Sequence, residues 1–257
     1  MIFHRQLKHA QLRIDVAVDN DLLSQLVRDS TELDIGDSSA DQVDLIVTSA
    51  ADGMHFAWTQ AGSKPLRFHL DFAKTTQLLR SYPAPKQGAF NQALGKKTRH
   101  VLDATGGWGG DALLMCQQGY QVTILERDRL MACLLDDAFA RLSQSSWALE
   151  NGVSCPSVVH ADAIEYLASR LDDVDCVYLD PMFPPKRKQS AATNKFMQFL
   201  KWWVGPDSDA SELVASAIQA GYPRIAVKRP DYAEPLMGQP QTQFSSKLIH
   251  YDVYLNA

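Results

Sequence analysis

A glycine-rich turn between an apolar strand and a helix limits most strongly what this chain can fold into. The segment VLDATGGWGGDALLM, residues 101–115, begins with apolar residues, places four glycines within residues 106–110 and continues in a helical pattern. Glycine allows a tight turn and lets bare backbone approach a ligand. Because ligands of doubly wound sheets bind outside the carboxyl ends of strands, this turn predicts a ligand site in an α/β fold.

The chain after residue 100 repeats this order of strand and helix. Short apolar runs such as QVTILE and DCVYLD alternate with helical segments such as DRLMACLLDDAFARL. This order is typical of βαβ units and of a parallel sheet that is covered on both faces. We predict strands at residues 100–103, 121–125, 157–160, 175–179, 224–228 and 248–255, the last as half of a hairpin.

The first part of the chain has a different pattern. Short alternating or β-branched runs are separated by polar turns, with one helix predicted near residues 21–28. The prolines and glycine of SYPAPKQG then interrupt any regular pattern. The sequence therefore predicts a small α+β unit over residues 1–84 and a larger α/β domain over residues 85–257.

Composition limits the setting in which the chain works. It has no apolar stretch long enough for a membrane helix, and its N-terminus lacks the apolar core of a signal peptide, which predicts a cytoplasmic protein without a membrane partner. Its seven histidines and four cysteines follow no ligand spacing such as HExxH or CxxC, so no metal site is predicted. The net charge of −5 disfavours a general nucleic-acid binder, although local basic clusters can still contact phosphates.

Two cofactors are compatible with the glycine turn. Gly107 and Gly109 match a dinucleotide fingerprint, and Glu126, at the end of the next predicted strand, is the acid expected for ribose hydroxyls. Asp103 precedes the glycines, where its charge would repel a pyrophosphate but attract the cationic aminopropyl group of S-adenosylmethionine. The residues therefore favour the methyl donor and leave a nicotinamide-dependent dehydrogenase as an alternative.

A proline-rich turn after a later strand predicts the acceptor site. In VYLDPMFPPKRK, residues 177–188, an apolar strand ends at Asp180 and continues into Pro181. The Asp180 side chain and the Pro181 carbonyl provide two acceptors for the N–H bonds of a planar amino group, which would hold its nitrogen towards a methyl donor. Phe183 offers a face on which an unpaired base can stack. These three residues are the predicted catalytic set.

Four strings together resemble a known family. The strings DATGGWGGD, LER, YLDPMFP and KRPDYA are similar to those of the bacterial small-subunit ribosomal RNA guanine-N2 methyltransferases. The resemblance covers roughly residues 90–255 and implies a Rossmann-like class I methyltransferase sheet with an antiparallel last strand. It also implies S-adenosylmethionine as cofactor, and as partner small-subunit ribosomal RNA or the assembled subunit.

The resemblance also assigns residues by position. It implies cofactor contacts at Gly110, Asp111, Glu126, Arg127, Asp162, Ala163 and Asp180. Two basic clusters follow predicted strands on the ligand face and are expected to contact RNA phosphates: Lys186, Arg187 and Lys188, and Lys228 and Arg229.

Related chemistry and a different class of protein remain open on the sequence alone. Adenine N6 and a glutamine amide are also planar amino groups that such a turn could hold. A non-enzymatic RNA-binding factor would keep the basic clusters but would have no need of the Asp180–Pro181 turn.

Overall fold

The computed structural model describes residues 2–7, 10–16, 45–59, 63–76, 81–169, 171–184, 195–205 and 207–256. The helix predicted near residues 21–28 lies outside these ranges. In the part of the chain that the structure describes, no helix is long and apolar enough to cross a membrane.

The first strands form a five-stranded sheet in chain order. Its strands are β1 (Ile2–Leu7), β2 (Ala10–Val16), β3 (Leu45–Ala50), β4 (Gly53–Trp58) and β5 (Leu66–His69). All neighbours are antiparallel except β2 and β3. In β3 and β4 buried positions alternate with partly exposed ones, which is the pattern of a sheet with one face on a core.

The described residues after this sheet form a seven-stranded sheet with helices between its strands. The elements are α1 (Phe72–Thr76), α2 (Gly88–Leu94), β6 (His100–Asp103), α3 (Gly110–Gln117), β7 (Gln121–Glu126), α4 (Arg129–Ser143), α5 (Ser146–Asn151), β8 (Ser157–His160), α6 (Ala163–Ala168), β9 (Cys176–Leu179), α7 (Lys195–Trp203), α8 (Ala210–Gln219), β10 (Arg224–Pro230), β11 (Thr242–Ser245) and β12 (Ile249–Leu255).

The strand order confirms the predicted fold class. The seven strands lie in the order β11-β12-β10-β9-β6-β7-β8. The strands from β10 to β8 are parallel, whereas β12 runs antiparallel to β10 and pairs with β11 as a hairpin. Every predicted strand is present with its ends shifted by no more than two residues, and the antiparallel last strand is confirmed.

The centre of this sheet is apolar on both faces. All four residues of β6 and of β9 are buried, and the continuous apolar run CVYL of β9 is the pattern expected of a strand covered on both faces. Helices α3 and α4 contribute to the hydrophobic cluster that includes Val101 and Tyr178, and α8 contributes to the one that includes Leu102 and Val177. The loops that follow β6, β7, β8 and β9 consequently meet at one edge of the sheet.

The five-stranded sheet packs against helices of the second sheet. Leu45, Val47 and Phe56 share a hydrophobic cluster with α4 and α7, and the ring of Phe68 lies 4.9 Å from that of Phe199 on α7. The ring of Trp108, in the glycine turn, lies 5.7 Å from Phe68. The first sheet therefore supports the glycine turn through aromatic contacts, while the division at residues 84 and 85 stays a prediction.

Candidate cofactor and acceptor site

A cavity of about 490 Å³ opens where the parallel strands end. Fourteen of the residues predicted from the sequence line it: Asp103, Gly107, Gly109, Gly110, Asp111, Glu126, Arg127, Asp162, Ala163, Asp180, Pro181, Phe183, Lys228 and Arg229. The predicted RNA contacts Lys186, Arg187 and Lys188 lie outside the described residues. One cavity therefore brings together the glycine turn and the proline-rich turn.

Glycines are required in this turn for their backbone conformation and for close packing. Gly107 and Gly109 adopt left-handed backbone with φ of 52° and 70°, which residues with a Cβ rarely adopt. A Cβ on Gly109 would lie 2.7 Å from Leu135 Cδ2, so this glycine is needed for packing. A Cβ on Gly110 would meet nothing within 4 Å, so this part of the backbone borders open space.

Glu126 stabilises the turn from the end of β7. Its Oε2 accepts the backbone N–H of Gly107 at 3.0 Å, and its Oε1 accepts that of Asp128 at 2.8 Å. Burial raises the pKa of Glu126 to about 7, although these two amides oppose the rise. Each carboxylate oxygen has a second lone pair, so Glu126 can hold the turn and still accept hydroxyl groups from a ligand.

Asp103 lies at the base of the cavity at the end of β6. Its side chain is buried, and its Oδ1 accepts the backbone N–H of Thr105 at 3.1 Å. Burial, and next the charge of Asp111, raise the pKa of Asp103 to about 7. A cation in the cavity would stabilise the ionised form of this carboxyl group.

A chain of hydrogen bonds links two carboxylates of the cavity wall through one lysine. Lys228 Nζ donates to Asp111 Oδ2 at 2.7 Å and to Asp180 Oδ2 at 2.8 Å, and Tyr178 Oη donates to the same oxygen of Asp111 at 2.6 Å. Burial alone would lower the pKa of Lys228, but Asp180 and Asp111 outweigh it and raise this pKa. Lys228 therefore stays cationic and fixes the position of Asp180.

Asp180 keeps a face towards the cavity despite this ion pair. Its side chain is 39% exposed, and its backbone N–H donates to Thr105 Oγ1 at 2.7 Å. Burial raises the pKa of Asp180 to about 6, with Lys228 opposing the rise and Asp111 adding to it. Asp180 is thus an ionised hydrogen-bond acceptor at neutral pH. Thr105 fixes its backbone and Lys228 fixes one of its two carboxylate oxygens.

The turn after Asp180 is attached to two other segments. The backbone N–H of Met182 donates to Asp207 Oδ2 at 2.7 Å, and Tyr232 Oη donates to the carbonyl of Pro184 at 3.0 Å. Phe183 lies between these attachments and is partly exposed in the cavity wall. The string DPMFP is therefore held by KRPDYA at two places, through Lys228 and through Tyr232.

Two other residues that the sequence predicts as cofactor contacts form hydrogen bonds or ion pairs within the protein. Arg127 forms ion pairs with Asp207 and, at 2.7 Å, with Asp209. Asp162 caps helix α6 by accepting the backbone N–H of Ile164 at 2.8 Å, and Ala163 begins that helix. Arg127, after β7, and Asp162, after β8, both line the cavity. Asp207 connects the end of β7 to the proline-rich turn, because it contacts both Arg127 and Met182.

The structure changes the role expected for Lys228 and Arg229. Arg229 is 5% exposed, and its Nε donates to the buried Asp252 at 2.6 Å, while a second nitrogen donates to the carbonyl of Ala233. The expectation that Arg229 contacts phosphate is therefore corrected: its guanidinium is committed to the interior. Lys228 is likewise corrected, because it bridges Asp111 and Asp180 inside the cavity.

Four polar residues of this site are not among those predicted from the sequence. Thr105 and Tyr178 stand inside the recognised strings, beside residues that were singled out, so their positions in the motifs were an available signal. Asp207 and Asp209 stand in the loop before α8 with no motif around them. Only the fold brings them to Arg127 and Met182.

Comparison with known families and structures supports one class of protein. A family model described as "Putative SAM-dependent methyltransferase" matches residues 22–256. The solved structure of a SAM-dependent methyltransferase from Neisseria gonorrhoeae superposes with a TM-score of 0.63 at 23% identity, over 95% of this chain and 96% of that one. At 23% identity, this structural similarity shows that the two chains share a fold.

Relatives from two bacterial species have the same name. The ribosomal RNA small subunit methyltransferase J of Legionella pneumophila (strain Corby) is 34% identical over 222 residues, which are 84% of this chain and 89% of that protein. The protein of the same name from Hydrogenovibrio crunogenus is 41% identical over 157 residues. That alignment spans 60% of this chain and just over half, 56%, of the relative.

Proposed function

The chain belongs to the family of ribosomal RNA small subunit methyltransferase J, and we propose that it transfers the methyl group of S-adenosylmethionine to N2 of one guanine in small-subunit ribosomal RNA. The observation that carries this proposal is the attachment of the Asp180 turn to the wall of the glycine-turn cavity. Methyl transfer to RNA in bacteria also requires that the protein work in the cytoplasm.

The residues of the cavity fit the cofactor. A volume of about 490 Å³ suits a ligand of this size, and the Gly110 backbone borders open space. Asp103 offers a carboxylate to the ammonium group, and Glu126 offers acceptors to the ribose hydroxyls. Ile164 and Leu213 give the cavity an apolar wall suited to the adenine ring.

The chemistry places simple demands on the protein. S-adenosylmethionine, when bound, supplies an electrophilic methyl group on a cationic sulfur. The exocyclic amine of guanine is a weak nucleophile because its lone pair is delocalised into the ring. Asp180 and the Pro181 carbonyl accept its N–H bonds, which orients the nitrogen and stabilises the positive charge that develops on it. Phe183 stacks against the base.

Asp180 also favours guanine over adenine in this arrangement. The Watson–Crick edge of guanine presents neighbouring donors at N1 and N2, which one carboxylate can accept together, whereas adenine presents an acceptor at N1. Lys228 contributes by keeping Asp180 ionised and in place. After transfer, the methylated nitrogen is acidic and its proton can leave through Asp180 to solvent, so Lys228 is not required as a base.

RNA binding needs positive surface beside the cavity, whose lining already includes the cation Lys201. With Lys228 and Arg229 engaged internally, Lys186, Arg187 and Lys188 become the main predicted phosphate contacts. They follow the Asp180 turn in the sequence, and their three positive charges suit the phosphates of an RNA strand.

A pair of binding and transfer experiments tests the proposal. Calorimetric titration should show binding of S-adenosylhomocysteine and none of NAD. A labelled methyl group should then enter ribosomal RNA and not protein when the purified small subunit is the substrate. NAD binding would favour the dehydrogenase, and label in a glutamine-containing protein would favour amide methylation.

Glu126→Ala should weaken S-adenosylhomocysteine binding by about 1–3 kcal/mol, because a buried carboxylate loses its hydrogen bonds to the ligand and to the glycine turn. Calorimetry on the folded variant measures this loss. Glu165→Ala, which removes an exposed acid outside the cavity, serves as the matched control. Wild-type affinity in Glu126→Ala would remove Glu126 from the cofactor site.

Cofactor affinity should also depend on pH around neutrality. The pKa values of Asp103 and Glu126 are raised to about 7, so both groups are partly protonated in the ligand-free protein. Asp103 must ionise to bind the ammonium group, so affinity rises with pH through 7 and levels off above it. We expect binding of S-adenosylhomocysteine to be about tenfold weaker at pH 6 than at pH 8 for each group that must ionise.

Calorimetry in two buffers of different ionisation enthalpy measures the protons released on binding. Asp103→Asn keeps the shape of the side chain and should remove its part of the pH dependence. An affinity that stays flat between pH 6 and pH 8 would show that neither carboxyl group changes its ionisation on binding.

A further inference from the structure

A second group of polar side chains lies on the five-stranded sheet. His55 on β4 and His69 on β5 are paired directly across the antiparallel strands, and their rings stack with centroids 4.2 Å apart. Asp52 lies in the turn between β3 and β4. None of these three residues lines the cofactor cavity.

The three side chains converge on one point. His55 Nε2 lies 2.9 Å from Asp52 Oδ1, and His69 Nε2 lies 3.0 Å from the Asp52 carbonyl oxygen. One possible ligand atom from each residue lies within 4.8 Å of the other two. Both imidazoles therefore direct the same nitrogen to the same turn, which two unrelated surface histidines would not do.

We infer that Asp52, His55 and His69 bind a divalent transition-metal ion of the Zn²⁺ type. Two imidazole nitrogens and one carboxylate oxygen suit zinc, nickel, cobalt or copper, whereas magnesium and calcium prefer oxygen ligands alone. With bonds of about 2.0–2.2 Å, ligand atoms around tetrahedral zinc lie about 3.3 Å apart. Binding therefore requires both histidines to carry their proton on Nδ1, side-chain rotation to bring the three ligand atoms to that spacing, and water to complete the coordination.

The surroundings of the group allow a cation to enter. The side chains of Asp52 and His55 are 69% and 38% exposed, so an ion reaches them from solvent. The nearby cation Arg141, whose guanidinium packs against Gly53, is paired with Asp137 at 2.9 Å. Its charge is thereby compensated.

A bound ion would connect the turn after β3 to β5. The start of β4 and the end of β5 are attached to α4, because the backbone N–H of Met54 donates to Asp137 at 3.1 Å and Arg141 donates to the carbonyl of Leu70 at 2.5 Å. An ion at this place therefore stabilises the sheet close to its junction with the helix. Because it binds the folded form, it raises the unfolding temperature with its concentration.

Calorimetric titration of ZnCl₂ into tag-free protein tests the site. We expect one ion per chain in the wild type, with affinity falling on the order of tenfold or more in His55→Gln and in His69→Gln, since each loses one of three protein ligands. Asp52→Asn, in an exposed turn, is a third variant that keeps the side-chain shape. His160→Gln is the matched control, because His160 is exposed and outside the group.

Two further readouts separate this site from the cysteines and from misfolding. At a given concentration, Zn²⁺ should raise the unfolding temperature of the wild type and the control by more than that of the two histidine variants. All variants should bind S-adenosylhomocysteine like the wild type, since the group lies outside the cavity. The inference is overturned by undetectable zinc binding, by wild-type affinity in both histidine variants, or by a thiolate charge-transfer band when Co²⁺ replaces Zn²⁺.

Discussion

Asp180→Ala should reduce the single-turnover rate of methyl transfer on the order of a hundredfold or more, while RNA affinity stays nearly unchanged. The acceptor matters most when the amine nitrogen pyramidalises and gains positive charge, so its loss raises the barrier more than it weakens ground-state binding. The variant also removes one of the two carboxylates that hold Lys228, which leaves its ion pair with Asp111.

The measurement follows methylation of the small ribosomal subunit in single turnovers at saturating S-adenosylmethionine. Saturation is needed because Asp180 also borders the cofactor cavity. Glu234→Ala, which removes an exposed carboxylate outside the cavity and outside the string KRPDYA, is the matched control and should react like the wild type. A near-wild-type rate for Asp180→Ala would exclude this residue from the chemistry.

Arg229→Met should lower the free energy of unfolding by about 3–5 kcal/mol, because it leaves Asp252 buried without its cation. The two side chains are 6% and 0% exposed, and Arg229 Nε lies 2.6 Å from Asp252 Oδ2. Gln243 donates to the other oxygen of Asp252 at 2.7 Å but carries no charge. The substitution thus damages the pairing between β10 and β12.

Urea denaturation of three variants separates this explanation from a simple loss of packing. The double variant Arg229→Met with Asp252→Leu should recover most of the loss, because no charge is left buried. Arg67→Met, at an exposed position on β5, should change the free energy of unfolding by about 0.5 kcal/mol or less. A loss below about 1 kcal/mol in Arg229→Met would return Arg229 to the candidates for RNA contact.

Much of the fold follows from local patterns in the sequence. Strand β9 is buried on both faces and its apolar run is continuous, and the apolar pair Val101 and Leu102 of β6 stands just before the glycine turn, so both strands are easy to place. The glycine turn is equally clear, since Gly107 and Gly109 adopt backbone that other residues avoid. These signals lie within a few consecutive residues, which explains why a sequence reading finds them.

Pairings between distant residues were not predictable in the same way. Whether Lys228 and Arg229 face solvent or an internal carboxylate depends on partners at positions 111, 180 and 252. Two consecutive basic residues in the amino-acid sequence give no information about such partners. For the same reason, the sequence does not predict the contact of Asp207 with Met182. It also does not predict the group of Asp52, His55 and His69, which strand register and loop packing bring together.

The most direct test of the proposed function identifies the methylated nucleoside. Purified protein, S-adenosylmethionine and unmodified small ribosomal subunits are incubated, the RNA is digested to nucleosides, and the new product is compared by mass spectrometry with authentic standards. We expect N2-methylguanosine from a single position with the wild type and none with Asp180→Ala. N6-methyladenosine, or no methylated nucleoside from either the subunit or free RNA, would contradict the proposed function.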